Sequence, residues 1–313
     1  MPFENAPVGA KRIAVIGGGI SGMGAAYQLR EQHQAVLFEA APRLGGHART
    51  VMAGKNGDLP VDTGFLVFND VNYPYLIRLF AELDVPVMDS DMSFGASING
   101  GWLEYGLLAP KAVFAQPRNI IRPKFYGMIR DILKFNKRAN SELIDSTITI
   151  GELVNEWQLG EWFRDYYLTP FTGAIWSTPI TQILDFPAQA MINFMKNHAL
   201  LGAGGQHQWR TVRGGSREYV SRLQSALTRA NVDIRLSSPV AQVRRNPFGV
   251  ELQMTDGSLE AFDEVIFATH SDITLAMLSD ANNLEHQALA AVKYQPNEMV
   301  LHGDCSIMPK RQA

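Results

Sequence analysis

The chain has 313 residues, 46% of them hydrophobic, which is enough for roughly two domains with cores of their own. Its 28 Lys and Arg stand against 31 Asp and Glu, so a net charge of -3 gives no general attraction for nucleic acid, and no nucleic-acid partner is expected. The single cysteine, Cys305, excludes an internal disulfide, and no run approaches the roughly 18 unbroken apolar residues of a spanning helix.

In chain order, Ile13-Ala14-Val15-Ile16 is a short all-apolar run that suits a parallel strand buried on both faces. Gly17, Gly19 and Gly22 follow in the spacing G-x-G-x-x-G, and the helical pattern Met23, Ala26, Tyr27, Arg30 begins on them. In such a turn the first glycine permits the bend, the second lets backbone approach a pyrophosphate, and the third lets helix pack closely on strand. Backbone N–H groups at the helix start, that of Ser21 among them, then face the phosphates. A second strand, Ala35-Val36-Leu37-Phe38, ends on Glu39, 22 residues past Gly17. Its carboxylate can accept hydrogen bonds from ribose hydroxyls and would repel a 2′-phosphate, which counts against NADP. Together these pieces predict an α/β chain with a Rossmann-like FAD/NAD(P)-binding domain.

Past Glu39 comes Arg43-Leu44-Gly45-Gly46-His47-Ala48-Arg49-Thr50, a glycine pair flanked by arginines, and then Asp62-Thr63-Gly64. Glycine pairs let backbone amides come close to a flat or anionic ligand, and Arg43 or Arg49 supplies charge for phosphate. On these residues the chain resembles the FAD-dependent amine oxidase and phytoene desaturase superfamily. His47 stands where many of its members carry arginine. The resemblance continues through the strand-like Val232–Leu236 and Val240–Val243, with Val240 best matching the valine whose backbone grips the FAD adenine, and through FDEVIFATH at Phe262 to His270. A subgroup of bacterial NAD/FAD-binding, amine-oxidase-like proteins is matched by Asp91-Met92-Ser93-Phe94, by Ala174-Ile175-Trp176-Ser177 and by Gly214-Gly215-Ser216-Arg217-Glu218-Tyr219. The resemblance implies FAD as cofactor, held by Gly17, Gly19, Ser21, Gly22, Glu39, Arg43, Gly45, Gly46, His47, Arg49, Asp62, Gly64 and Val240.

Between Asp70 and about Trp209 the pattern turns helical. Tyr75, Leu76, Leu79, Phe80 and Leu83 have helical spacing, and Pro187 is placed to open a helix holding Met191, Phe194, Met195 and His198. The expected organisation is a discontinuous nucleotide domain, 1–70 and 210–280, with a largely helical substrate domain, 71–209 and 281–313. No H-E-x-x-H, Cys/His cluster or G-x-S-x-G elbow occurs, so neither a metal site nor a serine nucleophile is expected. Flavin oxidation asks the protein chiefly to orient substrate and exclude water. An aromatic-lined cavity is therefore expected, with Tyr167, Phe171, Trp176, Phe194 and Trp209 as candidates and Trp176 first among them. His198 reads as a satisfied core residue.

The functional expectation is an FAD-dependent oxidoreductase taking hydride from an amine or an aliphatic or lipid chain. An NAD-dependent dehydrogenase would share Gly17 to Glu39 but not the Arg43 to Thr50 block. A fragment without turnover is the third reading: the family's C-terminal flavin segment, expected after a last strand-like stretch at Glu298–His302, has only eleven residues left to it. The first ten residues have no basic, apolar leader, so the cytoplasm is the expected compartment. Lys111, Arg118, Arg122, Lys124, Arg130, Lys134, Lys137 and Arg138 stand against one acid, Asp131, over 111–138. A helical wheel sets Arg130, Lys134, Lys137 and Arg138 opposite Phe125, Ile129, Ile132 and Leu133. The stretch reads either as a solvated helix or as a peripheral contact with anionic lipid.

Overall fold

A computed structural model gives the fold for residues 9–107, 109–179, 181–202, 206–294, 296 and 299–311. They form two compact units. One takes the residues up to Val67, Tyr75–Met88 and Thr211–Tyr294; the other takes Phe68–Pro74, Asp89–Arg210 and the residues beyond Tyr294. Residues 75–88 and 281–294, which the sequence pattern groups with the insertion, thus cluster with the nucleotide unit. Specific contacts hold them there. Phe80 packs on Tyr219 at 5.3 Å between ring centroids, and Glu285 pairs with Arg245 at 2.6 Å.

In the first unit, β1 (Arg12–Ile16) lies between β2 (Gln34–Phe38) and the strand Glu264–Phe267, with Asp233–Arg235 beyond β2, and all three pairings are parallel. Ile13 to Ile16 and Ala35 to Phe38 are buried, as strands with both faces covered must be. The chain leaves β1 for α1 (Ile20–Leu29) and returns as β2 on one side, while the strand on the other side arrives from far downstream. The strand order therefore reverses at β1, and ligands of such sheets bind at the carboxyl ends of the strands there. Met23, Ala26 and Tyr27 form the buried face of α1. A three-stranded antiparallel sheet, Val240–Asn246, Gly249–Met254 and Leu259–Phe262, shares a core with this layer: its Val243, Leu252 and Phe262 cluster with Ala14, Ile16, Val36 and Phe38.

One charged cluster fastens the two sheets. Glu260 receives Arg12 and, at 2.5 Å, Arg235, and each arginine also lies over a core ring, Arg12 over Phe262 at 4.2 Å and Arg235 over Phe38 at 5.1 Å. Burial alone would raise the Glu260 carboxyl, but the hydrogen bonds from Arg235 and Arg12 outweigh it and hold the group below the ordinary range.

The second unit packs around Phe125, Met128, Phe135, Leu153, Trp157 and Met191. Its longest helix, Pro123–Ser141, starts on a proline and buries Phe125, Met128, Phe135 and Ala139. The wheel is corrected here at Leu133, which faces solvent. Asp131, the one acid of the stretch, is buried, and its carboxylate accepts the Gly160 N–H at 2.9 Å. The insertion is also not helical throughout: Gly95–Ile98 and Leu103–Gly106 form a hairpin whose turn puts Asn99 and Gly100 at φ of 48° and 64°. Within it Glu104 is buried and accepts from the Lys310 N–H at 2.8 Å, from Arg311 at 3.0 Å and from the Ser97 hydroxyl at 3.1 Å. Met299–His302 form no strand, contrary to the strand-like reading of the sequence there, and Glu298 lies outside the described residues. Among the described residues no helix is long and apolar enough to cross a membrane.

The depressed Glu260 carboxyl fixes a pH signature. A group whose folded pKa lies below its unfolded value contributes stability above the unfolded value, about 4.3 for glutamate, and loses it as pH falls through the folded one. Glu260→Gln should therefore cost about 1 kcal/mol at pH 7 and progressively less below pH ~4. Urea midpoints of both proteins across that range check it.

Candidate cofactor site

The site begins with backbone that no side chain may crowd. Gly17 adopts φ +111°, and a Cβ there would stand 2.6 Å from the Ala268 carbonyl oxygen. A Cβ on Gly22 would overlap the Gly17 carbonyl. The Gly17 N–H donates to the Phe38 carbonyl at 2.8 Å, so the turn is tied to β2 as well. Helix α1 consequently starts directly on the end of β1. Its N-cap is Gly19, no side chain caps it, and no acid occupies its first turn. The positive end of the helix is left bare, which is the arrangement that receives a pyrophosphate. Ser21 is exposed in that first turn and borders a groove of about 440 Å³ with Ile20, Gly24, Tyr75 and Leu79, the last two from α2 (Pro74–Glu82).

The second glycine block packs on the first. Gly45 and Gly46 both have positive φ, the Gly45 N–H donates to the Gly18 carbonyl at 2.8 Å, and a Cβ on Gly46 would meet the Gly19 Cα at 3.0 Å. Arg43 and Arg49 part company here. The Arg43 guanidinium donates to the carbonyls of Leu44 and Gly46 at 3.2 and 2.9 Å and so closes its own turn, whereas Arg49 is exposed with no ion-pair partner among the described residues. His47 is exposed and nearly parallel to His270 at 5.7 Å; His270 stacks on Tyr294 at 4.1 Å, whose hydroxyl accepts the Ser271 N–H.

Glu39 stands half-buried at the end of β2. One carboxylate oxygen accepts the Gly18 N–H at 2.6 Å and the other the Ala41 N–H at 2.8 Å. Each oxygen keeps a lone pair for a further donor, as a ribose diol requires. Ser237 and Ser238 donate to the carbonyls of Ala41 and Glu39, which brings the start of the next strand, Val240, alongside.

The side chain of Asp62 is committed inside the protein. It lies at the end of β4 (Leu59–Asp62), which pairs with β3 (Thr50–Ala53), and it accepts from the Thr50 hydroxyl at 2.6 Å, the Ser216 hydroxyl at 2.8 Å and the Ser216 N–H at 2.9 Å. Ser216 precedes the helix Arg217–Arg229, and its own side chain does not cap it; the carboxylate from β4 does so instead. Gly64 stacks on the block before it, since a Cβ there would overlap the His47 carbonyl. Thr50 and Ser216 stood in the sequence motifs without a role, and Tyr294 carried no signal at all.

Trp176 belongs to the helical unit. It is partly buried at the end of the helix Thr169–Trp176, with Phe186 and Phe194 at 5.0 and 5.2 Å. Tyr167 and Trp209 are buried and Phe171 partly so, and burial pushes the Tyr167 hydroxyl well up. His198 is not a fully satisfied core residue. Nδ1 bonds the Phe194 carbonyl at 2.9 Å, while Nε2 is buried without a partner.

Strand, glycine turn, bare helix end and a carboxylate at the end of the second strand are the arrangement of a dinucleotide-binding fold. The chain belongs to the flavin-containing amine oxidoreductase family, whose sequence profile matches residues 20–300. No curated protein sequence matches it. Solved structures share its fold. Putrescine oxidase bound to putrescine is 16% identical with a TM-score of 0.64, covering 90% of this chain and 63% of its own. Cyclohexylamine oxidase from Brevibacterium oxydans is 19% identical with a TM-score of 0.64 over 90% and 63%. The CLA-producing fatty acid isomerase from P. acnes is 15% identical with a TM-score of 0.59 over 91% and 64%. The chain thus spans less than two thirds of the length of these structures.

The family's cofactor is FAD, and the residues present fit its ADP half: an uncapped helix end free of acids, glycines where a Cβ would intrude, and a carboxylate whose oxygens each hold one backbone N–H. Glu39→Ala should weaken flavin binding by about 1.5–3 kcal/mol, the worth of hydrogen bonds to a charged acceptor. Flavin titration of the folded variant measures this, and unchanged affinity would remove Glu39 from the site. Asp62→Ala should behave differently. Leaving the Ser216 N–H and both hydroxyls without their acceptor should cost about 2 kcal/mol of stability, with a smaller loss of flavin affinity than Glu39→Ala.

Proposed function

We propose that this protein is an FAD-dependent oxidoreductase that accepts hydride from a C–H bond of an aliphatic, lipid-like chain rather than from a cationic amine. The observation that carries the substrate reading is the state of the buried carboxylates in the helical unit. Glu104 is taken up by Arg311, the Lys310 N–H and Ser97, and Asp131 by the Gly160 N–H and Arg130. Neither has charge left for a substrate ammonium. Elsewhere in the unit the side chains are aromatic: Trp176 lies 5.0 Å from Phe186 and 5.2 Å from Phe194, and all three are partly buried. Such walls bind and orient an apolar chain through contact area and exclude water from it.

Bound FAD would supply the hydride acceptor; the chain supplies binding, orientation and dryness. Gly17, Gly19 and the helix end would fix the pyrophosphate, Glu39 the ribose, and Arg49 is the exposed cation of the second glycine block. The His198 Nε2, buried without a hydrogen-bond partner beside the rings of Phe194, Trp209 and Tyr73, is an acceptor that would serve a substrate hydroxyl or N–H.

The test is an anaerobic reduction series on flavin-loaded protein, with unsaturated and methyl-branched acyl chains in one arm and primary amines in the other. Bleaching of the flavin absorbance by acyl chains and not by amines is the expected result. Reduction by amines alone would overturn the substrate reading while leaving the oxidoreductase standing, and stoichiometric flavin that no donor reduces would overturn both.

A further inference from the structure

The basic stretch 111–138 is resolved by the structure into two parts with different fates. On the helix Pro123–Ser141 most of the cations are spent internally: Arg130 faces Asp131, Arg138 pairs with Glu142 at 2.7 Å, and Lys134 donates to the Trp157 carbonyl at 2.6 Å. At the corner that precedes the helix they are not. Lys111, Arg118 and Lys124 are exposed and have no ion-pair partner among the described residues, and the sequence holds no acid from Tyr105 to Arg130.

Between these cations the corner presents apolar side chains to water. Ile121 is 79% exposed and Ile120 55%, on the short 3-10 turn Pro117–Ile121, with the exposed ring of Tyr126 beside them. The turn is rigidly supported. Asn119 is buried and donates to the Glu104 carbonyl at 2.9 Å, and the Tyr126 hydroxyl donates to the Ile120 carbonyl at 2.9 Å. Arg122 donates to the Trp102 carbonyl at 2.8 Å and lies over the Trp102 ring. Prolines on both sides, Pro117 and Pro123, stiffen the backbone further. Two neighbouring isoleucines held out into solvent on a stiff turn expose apolar area that none of the described residues covers.

We propose that this corner is a docking site for an anionic lipid surface. Ile120 and Ile121 would enter the acyl boundary, the rings of Tyr126 and Trp102 would lie at headgroup depth, and Lys111, Arg118 and Lys124 would meet the lipid phosphates and carboxylates. The charge pattern selects this partner. An apolar tip flanked along the chain by exposed cations that have no ion-pair partner among the described residues, with no acid in the surrounding sequence, complements a surface that is apolar within and negative at its face. A second copy of the chain would bring the same cations against themselves. The site stands on this geometry alone and does not depend on the substrate reading above.

The test is sedimentation of the 313-residue chain with vesicles of phosphatidylcholine alone and of phosphatidylcholine mixed with phosphatidylserine, at low and physiological salt. Binding is expected to the anionic vesicles only, and to weaken with salt as the ~8 Å Debye length of physiological solution screens the cations. Replacing Lys111, Arg118 and Lys124 together by Gln should reduce the partition constant roughly a hundredfold. Ile120→Ser with Ile121→Ser should weaken binding at both salts without removing its salt dependence. All five positions are exposed, and circular dichroism confirms that each variant is folded. No sedimentation at low salt would overturn the proposal, as would variants that bind like the parent. A concentration-dependent dimer abolished by the isoleucine changes, with vesicle binding untouched, would reassign the corner to self-association.

Discussion

Helix α1 can begin where β1 ends only because two backbones approach with no side chain between them, and the rest of the nucleotide unit is arranged around that approach. Gly17 and Gly22 allow it, since a Cβ on either would run into a carbonyl oxygen. The second glycine turn then settles on the first through the Gly45 N–H, and Gly64 on the second. Three segments distant in sequence are thereby stacked backbone to backbone. Such stacking exposes many peptide dipoles and few side chains, which is why the region can offer N–H groups to an anion without a cluster of lysines.

Acidic groups hold this arrangement together from two sides. Glu39 holds Gly18 and Ala41 by their N–H groups, and Asp62 holds Ser216 and Thr50. Both are carboxylates receiving backbone N–H groups, yet their consequences differ. Glu39 keeps accepting capacity on both oxygens, whereas one oxygen of Asp62 already takes two hydroxyls and an amide and the other shares that amide. The first can serve a ligand, and the second serves the helix Arg217–Arg229.

Much of the nucleotide unit is legible in the residues because its signals are local. An all-apolar tetrapeptide, three glycines and an acid at a fixed distance state a strand, a turn, a helix and a carboxylate at the end of the second strand within one short stretch. The partners of charged groups are not local and were not legible. Nothing near Lys134 announces the Trp157 carbonyl, and nothing near Asp131 announces the Gly160 amide, so the wheel drawn from the sequence placed the charges without knowing which were spent. Arg43 likewise reads as a phosphate ligand, and nothing near it announces that its guanidinium also closes its own turn. Other signals were present and unread. Asn99-Gly100 between alternating residues marks the hairpin, and Thr149-x-x-Glu152 and Asn282-x-x-Glu285 are reciprocal caps of the helices that follow them.

The carboxylate of Glu104 makes the end of the described chain a structural part of the helical unit. This group is 1% exposed, and among the described residues its ion-pair partner is Arg311, 207 residues further on. Without the segment Lys310–Arg311 this carboxylate would be an anion in the hairpin with Ser97 as its remaining side-chain donor among the described residues. Losing that segment and loosening the hairpin are thereby coupled: cleavage just ahead of Lys310 would register in the near-ultraviolet signal of Trp102 and Tyr105, far along the chain from the peptide bond that was cut.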